Sequence, residues 1–450
     1  MQPTGPEKTD ISPNTRKTGQ SRPWFHLPAL LTIIICITAM TYTFRWENGM
    51  LHKVSVPFSI YFQKTLTPVE GYTGYYRGRT THIETWPYIK LARMFNTGKT
   101  EYAHTMCIKR LGYSFLFSLL PPLWGEYARA LALNAIFWFL ACVCLMKLGR
   151  RFFSSPRVGY IAALLAATDF SMCAMSGDAA PHLWAGCWFL MGVWLAAETN
   201  FIAGKPNWKE LLVFALWAAG GGLGYNIQLM LAAFGILIAF PRLSIGKIIA
   251  LPAIAFAPGL AFSIAIKLLG HEDYEAIYLK RALAYWADAY RAGVLTGLLS
   301  DIKLFLGFIT AINPLLLLLG AIGFPSMPRE MKKIVAAAFV SVLAGPFIFS
   351  HSASARGYLI TGFVMVFCLV SANGLCVIAD RLSGFFWSKS IRRVLFASVL
   401  VFFLLFNFGM AMSLRFTAYP GLIWAFTWGG PPHRVTLHTY LDRLPLIEKL

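Results

Sequence analysis

The chain has 450 residues, 57% of them hydrophobic and only 13% charged, with a formal net charge of +20 and a mean hydropathy of +0.58. A soluble domain carries about 25% charged residues, so this composition excludes an ordinary soluble enzyme and calls for a polytopic membrane protein. Many of its basic residues sit in short loops between apolar runs, which suits anionic lipid head groups and argues against a nucleic-acid partner.

Residues 1–23 are polar and rich in Pro, Thr and Lys, and read as a disordered cytoplasmic tail. The apolar run that follows has no A-x-A-like cleavage site, so it reads as an uncleaved anchor helix. A transmembrane helix needs about 20 mostly apolar residues. Such runs fall at 27–44, 128–147, 157–175, 181–198, 210–224, 226–241, 248–269, 303–323, 334–350, 357–379 and 394–413. The expected fold is therefore an all-α polytopic membrane protein of about eleven spans, occupying residues 24–413.

Charge in the connections orients these spans. One set of loops carries Arg16, Lys17 and Arg22; Lys147, Arg150, Arg151 and Arg157; Lys205 and Lys209; Arg242 and Lys247; Arg329, Lys332 and Lys333; and Arg381, Lys389, Arg392 and Arg393. The alternate short loops near 176–180, 224–226 and 351–356 carry almost no Lys or Arg, Arg356 excepted. The positive-inside rule then puts the N-terminus in the cytoplasm and the tail 414–450 outside. Two outer stretches read as interfacial or re-entrant helices: the short apolar run 111–124 in the first loop, 45–127, and residues 272–291. The eight cysteines follow no disulfide or zinc spacing, and seven lie in or beside apolar runs as small apolar residues.

Ionisable groups near membrane depth are functional candidates because burying them is costly. Glu84 precedes Tyr88 by four residues and Ala92 by eight, at the start of a short helix with Pro87 in its first turn. It is either a chemical group or a carboxylate that stabilises the helix N-terminus. Asp178 stands before Pro181 and His182, and either caps the fourth span or serves the same outer site. Asp169, deeper in the third span, reads as a buried hydrogen-bonded residue. Arg356, in the stretch from His351 to Tyr358, would hold a phosphate through paired hydrogen bonds or snorkel to head groups. Asn226 and Gln228 follow a glycine run and would bind a sugar or phosphate or satisfy helix ends.

Taken in order, these segments resemble a known family. They are Glu84, Tyr88 and Ala92; Arg110-Leu111-Gly112-Tyr113; Arg129-Ala130 through to Lys147-Leu148-Gly149-Arg150-Arg151; Asp178; Gly222-Leu223-Gly224-Tyr225-Asn226; and Ser354-Ala355-Arg356-Gly357-Tyr358-Leu359. Over residues 80–380 the chain resembles the C-type integral-membrane glycosyltransferases that use polyprenyl-phosphate sugars. That group includes protein O-mannosyltransferases and the lipid A aminoarabinose transferase. The resemblance implies a sugar transferred to a lipid, glycan or protein acceptor on the outer face of a bacterial inner membrane. It makes Glu84 the base and Asp178 its helper or a metal or acceptor ligand, with Glu70 a rival base in the long first loop. Arg356, His351, Tyr358, Asn226, Gln228 and His182 form the substrate-binding set. The family's usual Asp is Glu at position 84, and a Lys common in relatives is Gln228, which shifts phosphate binding towards Arg356. The resemblance fixes no cofactor and leaves a divalent metal open. The competing expectation is a transporter or flippase of a lipid-linked substrate.

Overall fold

The computed structural model describes residues 29–38, 85–98, 111–121, 125–153, 156–169, 172, 181–224, 227–268, 284, 287, 290–299, 313–349, 356–384 and 388–416. The described residues form helices and no strand. They comprise α1 (Ala29–Thr38), α2 (Thr85–Thr97), α3 (Leu111–Ser118), α4 (Gly125–Phe152), α5 (Arg157–Thr168), α6 (His182–Glu198) and α7 (Trp208–Gly224). After them come α8 (Gln228–Ala239), α9 (Ile245–Leu268), α10 (Pro314–Gly323), a 3-10 turn (Phe324–Ser326), α11 (Arg329–Phe349), α12 (Arg356–Ser383) and α13 (Lys389–Phe416). A short helical turn also covers 294–299.

Three of these helices contain stretches long and apolar enough to cross a membrane, Ala132–Phe152, Ile245–Ala265 and Gly362–Leu382. Several helices overrun the apolar runs that announce them. α4 continues to Phe152 through Arg150 and Arg151, α11 begins at Arg329, and α13 begins at Lys389. Long basic side chains continue a helix beyond the apolar core because their charged heads reach water while their stems stay on apolar surface. The third apolar run behaves differently: α5 stops at Thr168, and Asp169 takes an extended backbone (φ −68°, ψ 134°). Its Oδ1 accepts from the Met172 amide at 3.4 Å, a local side-chain contact that competes with helix continuation.

The bundle is organised on α12, which packs against α4, α5, α6, α10, α11 and α13. Its apolar stretch is 78% buried, whereas that of α9 is 11% buried. The outward face of α9 carries Ile245, Ile249, Leu260 and Leu268, and that of α13 carries Val394, Phe402 and Leu405, all more than half exposed. Contiguous apolar faces of this size are a liability in water and the required surface in lipid.

Between helices, small residues allow backbone-to-backbone approach. A Cβ on Gly149 would collide with the Cα of Gly159, joining α4 to α5, and a Cβ on Gly374 would collide with the Leu319 carbonyl, joining α12 to α10. Polar side chains cross the same seams to reach neighbouring carbonyls. The Trp138 indole donates to Ala166 O at 2.9 Å and the Ser371 hydroxyl to Leu316 O at 2.8 Å. Between α6 and α7, Trp188 and Trp217 stack at 4.1 Å, and each indole donates to the other residue's carbonyl, at 2.8 Å and 3.2 Å.

The basic connections gather at one end of the bundle. Lys147 of α4 lies 4.4 Å from the Trp194 ring near the end of α6. Arg242, after α8, donates to Ala203 O in the α6–α7 connection at 3.0 Å, and Lys247 donates to Pro206 O there. Arg157 of α5 lies over Phe396 of α13 at 5.8 Å. Lys333 of α11 has its ammonium pushed below the ordinary range by burial and by Arg242, with Glu330 acting the other way.

Substituting Gly374 by Ala should lower the unfolding midpoint in detergent by several degrees, a cost of about 1–3 kcal/mol or more for an atom placed against backbone. Gly246, which has nothing within 4 Å of an added Cβ, is the control. A neutral or slightly stabilising Gly246→Ala and a clearly lower midpoint for Gly374→Ala is the expected pair.

Candidate functional site

Among the described residues, the opposite end of the bundle collects most of the buried polar side chains. The short apolar run of the first loop becomes α3, which is buried through Tyr113, Ser114 and Phe117 while Phe115 is about half exposed. One face of this helix is seated against protein. Gly112 makes that seating close: a Cβ there would stand 3.2 Å from the Leu223 carbonyl carbon and 3.3 Å from the Gly224 amide. The α3 backbone thus lies on the C-terminal turn of α7.

Helix α2 is locked to α3. The Ser114 hydroxyl donates to the Tyr88 carbonyl at 3.1 Å, and the Tyr88 and Tyr113 rings meet edge to face at 5.5 Å. Tyr113 then reaches across to α4, its hydroxyl lying 3.1 Å from Asn134 Oδ1 as donor. Arg129 of α4 closes the other end of α3, donating to Phe117 O at 3.2 Å and Ser118 O at 3.0 Å. A helix in an apolar setting must have its last carbonyls satisfied, and here a buried guanidinium does it.

A second group lies where α5, α6, α7 and α10 end. Asp169 is fully buried, and its Oδ2 accepts from Asn313 Nδ2 at 3.3 Å. Asn313 is also the N-cap of α10, its Oδ1 accepting from the Leu315 amide at 3.0 Å with Pro314 in the first turn. One amide therefore joins a buried carboxylate to a helix N-terminus, whose dipole favours negative charge nearby. His182 opens α6, fully buried; the N-cap position there is Pro181, with no side-chain cap. The Trp184 ring lies against Gly224, where a Cβ would collide with it. Gln228 opens α8 beside Gly222, whose added Cβ would stand 3.0 Å from Gln228 Oε1. That oxygen is buried and makes no hydrogen bond among the described residues, so it does not satisfy a helix end.

Of the candidate residues named from sequence, His182 and Gln228 are thus at the same end as Tyr113, Asn134 and Asp169. Pro87 falls in the first turn of α2, as its sequence suggests. Arg356 opens α12, which runs on through Tyr358; the side chains of these two lie outside the described residues. Glu70, Glu84, Asp178, Asn226 and His351 also lie outside them. Asp169 is buried and hydrogen-bonded as expected, but its pairing with Asn313 and the reach of Arg129 and Asn134 to α3 were not foreseen. The Asn313-Pro314 pair is a helix-start signature that marks Asn313 as a cap. Nothing in the spacing of Asn134 announces its partner. No protein-family model matches the chain, and no curated protein matches it.

Asn313→Ala should lower stability by about 1–3 kcal/mol, because it removes a helix cap and a partner of a buried carboxylate together. Tyr113→Phe, which removes one hydroxyl, should cost about 1 kcal/mol. Chemical or thermal unfolding in a mild detergent reads both, and a cost for Asn313→Ala no larger than for Tyr113→Phe would contradict the coupling drawn here.

Proposed function

We propose that this chain is a membrane glycosyltransferase that moves a sugar from a polyprenyl-phosphate donor to a lipid, glycan or protein acceptor. In this reading about eleven spans cross a bacterial inner membrane, with the basic connections in the cytoplasm and the site facing the periplasm. The observation that carries the reading is the backbone contact of Gly112 with Leu223 and Gly224. It joins two of the family-like segments, more than a hundred residues apart in sequence, at the end of the bundle away from the basic connections. Tyr88, Tyr113, His182 and Gln228 support it from the same end.

The chemistry asks little of the protein beyond positioning and charge. Glu84, just before the first residue of α2, takes the proton of the acceptor hydroxyl as its oxygen bonds to the anomeric carbon. The sugar–phosphate C–O bond breaks, and the lipid phosphate leaves with the electron pair, its charge met by Arg356. Attack opposite the leaving group inverts the anomeric centre. Asp178 would orient the acceptor or serve as a ligand should a divalent metal be bound. Gln228, with an unused buried acceptor, offers Oε1 to a sugar hydroxyl.

The competing reading is a transporter or flippase for a lipid-linked substrate. Such a protein needs ionisable groups along a path through the membrane. Among the described residues the buried charged side chains are Arg129 and Asp169, and both belong to the end opposite the basic connections, which favours chemistry at one rim.

Transfer in reconstituted membranes tests the proposal. Glu84→Gln should lower the rate by about 10²–10⁴-fold, the usual worth of a general base, with Glu70→Gln near wild type. Asp178→Asn and Arg356→Ala should each lower it as well. Near-wild-type transfer by all three of Glu84→Gln, Asp178→Asn and Arg356→Ala would sink the site, and a strong loss in Glu70→Gln alone would move the base to Glu70.

A further inference from the structure

Asp169 and Arg129 are the charged side chains buried among the described residues. The carboxylate is bonded to the Met172 amide and to Asn313. The guanidinium, 5% exposed, is bonded only to neutral groups. Its Nη2 donates to Phe117 O and Ser118 O, and the centre of the Phe117 ring lies 5.0 Å away. Its Nε is buried and makes no hydrogen bond, and no carboxylate among the described residues pairs with it. The two carbonyls are the negative end of the short helix α3 and meet only part of a full charge. A buried cation without an anion is costly, so an anion from outside the chain belongs beside Nε.

The face of α4 that continues from Arg129 says what carries this anion. At 3.6 residues per turn, Ile136, Leu140, Val143 and Lys147 lie within about 40° of Arg129 around the helix axis. Ile136 is 46% exposed, Leu140 and Val143 are half-buried, and Leu133 on the inner flank is buried. Lys147 ends the strip at the basic end of the bundle, about 27 Å from Arg129 along the axis. Across the junction, Leu119 directly follows the Ser118 carbonyl and is 64% exposed. The guanidinium thus stands at the head of an apolar strip as long as a membrane is deep. An occupant needs one anionic group and a long, narrow apolar chain.

We propose that the α3–α4 junction binds a single-chain lipid phosphate, with Arg129 donating from Nε to a phosphate oxygen and the chain lying on the Ile136–Val143 face of α4. Bonds from arginine to phosphate are charge-assisted and strong. Free phosphate would leave the strip bare, and a two-chain phospholipid is broader than it. In the proposed sugar transfer this lipid is the donor. The inference rests on that reading for the identity of the lipid, but binding does not need transfer.

The test uses the full chain in mild detergent with farnesyl phosphate, with farnesol as its uncharged counterpart, and with inorganic phosphate. Binding is read by the shift in melting temperature and by native mass spectrometry. Farnesyl phosphate should raise the melting temperature and remain bound, and the other two should do neither. Arg129→Gln should weaken farnesyl phosphate about 10–100-fold, the worth of a hydrogen bond to a charged group. Arg129→Lys, which keeps the charge, should lose less. Ile136→Gln should also weaken binding, whereas Ile249→Gln, on the exposed face of α9, should not.

Equal protection by farnesol or inorganic phosphate, equal binding of phosphatidylglycerol, or wild-type binding by Arg129→Gln would overturn the proposal. Glu126 is the acid nearest to Arg129 in sequence. A Glu126→Gln protein as destabilised as Arg129→Gln, with farnesyl phosphate without effect on the wild type, would make Glu126 the counter-charge and overturn the proposal too. Should Arg129→Gln fail to fold, Arg129→Lys and the ligand comparison on the wild type decide. Sugar transfer by a protein that binds farnesyl phosphate without Arg129 sinks this site and spares the proposed function. Binding through Arg129 in a protein that transfers no sugar does the reverse.

Discussion

Close approach of helix backbones is the interaction on which the rest of this bundle depends. In lipid, apolar side chains gain little by leaving the solvent for each other, so helices associate through packing and through polar groups that must find partners inside the protein. The Gly149–Gly159 and Gly323–Gly374 contacts bring α4 onto α5 and α10 onto α12 without intervening side chains. At that spacing a serine hydroxyl on α12 reaches a carbonyl of α10, and an indole on α4 reaches one on α5. These short reaches are possible because the glycines removed the bulk between the helices.

The same constraint decides how the polar end of the bundle is made. Asp169, Asn313, Tyr113, Asn134 and Arg129 are each at least nine-tenths buried, and each reaches a partner on a different segment. A buried polar group without such a partner costs several kcal/mol in hydrocarbon, so these contacts hold α3 to α4 and the end of α5 to α10. α2, which begins where Glu84 ends, is positioned at second hand, through the Tyr88 carbonyl and ring.

Much of the helical layout was legible in the sequence, because hydropathy over a helical length is a local property. The ends were less so. Arg150, Arg151 and Lys389 lie inside helices that the apolar runs stop short of, since a long basic side chain satisfies helix and water at once. Asp169 shows the reverse: an apolar run continues past it, but its carboxylate engages the Met172 amide and α5 ends. The polar pairings were mostly hidden. Asn313 is recognisable as a cap from Pro314, but its contact with Asp169 spans 144 residues, and no local pattern encodes a partner at that distance. Gly112 and Leu223-Gly224 were singled out in the sequence, and their mutual contact was not.

Arg129 adds a short tie along the chain. The carbonyls of Phe117 and Ser118 that end α3 are met by a guanidinium 12 and 11 residues further along the chain. The Phe117 carbonyl also accepts from the Leu120 amide at 3.3 Å, so the local turn and the following helix share the closing of α3. A contact reaching so few residues along the chain ties the first-loop helix to α4 at little loop-closure cost.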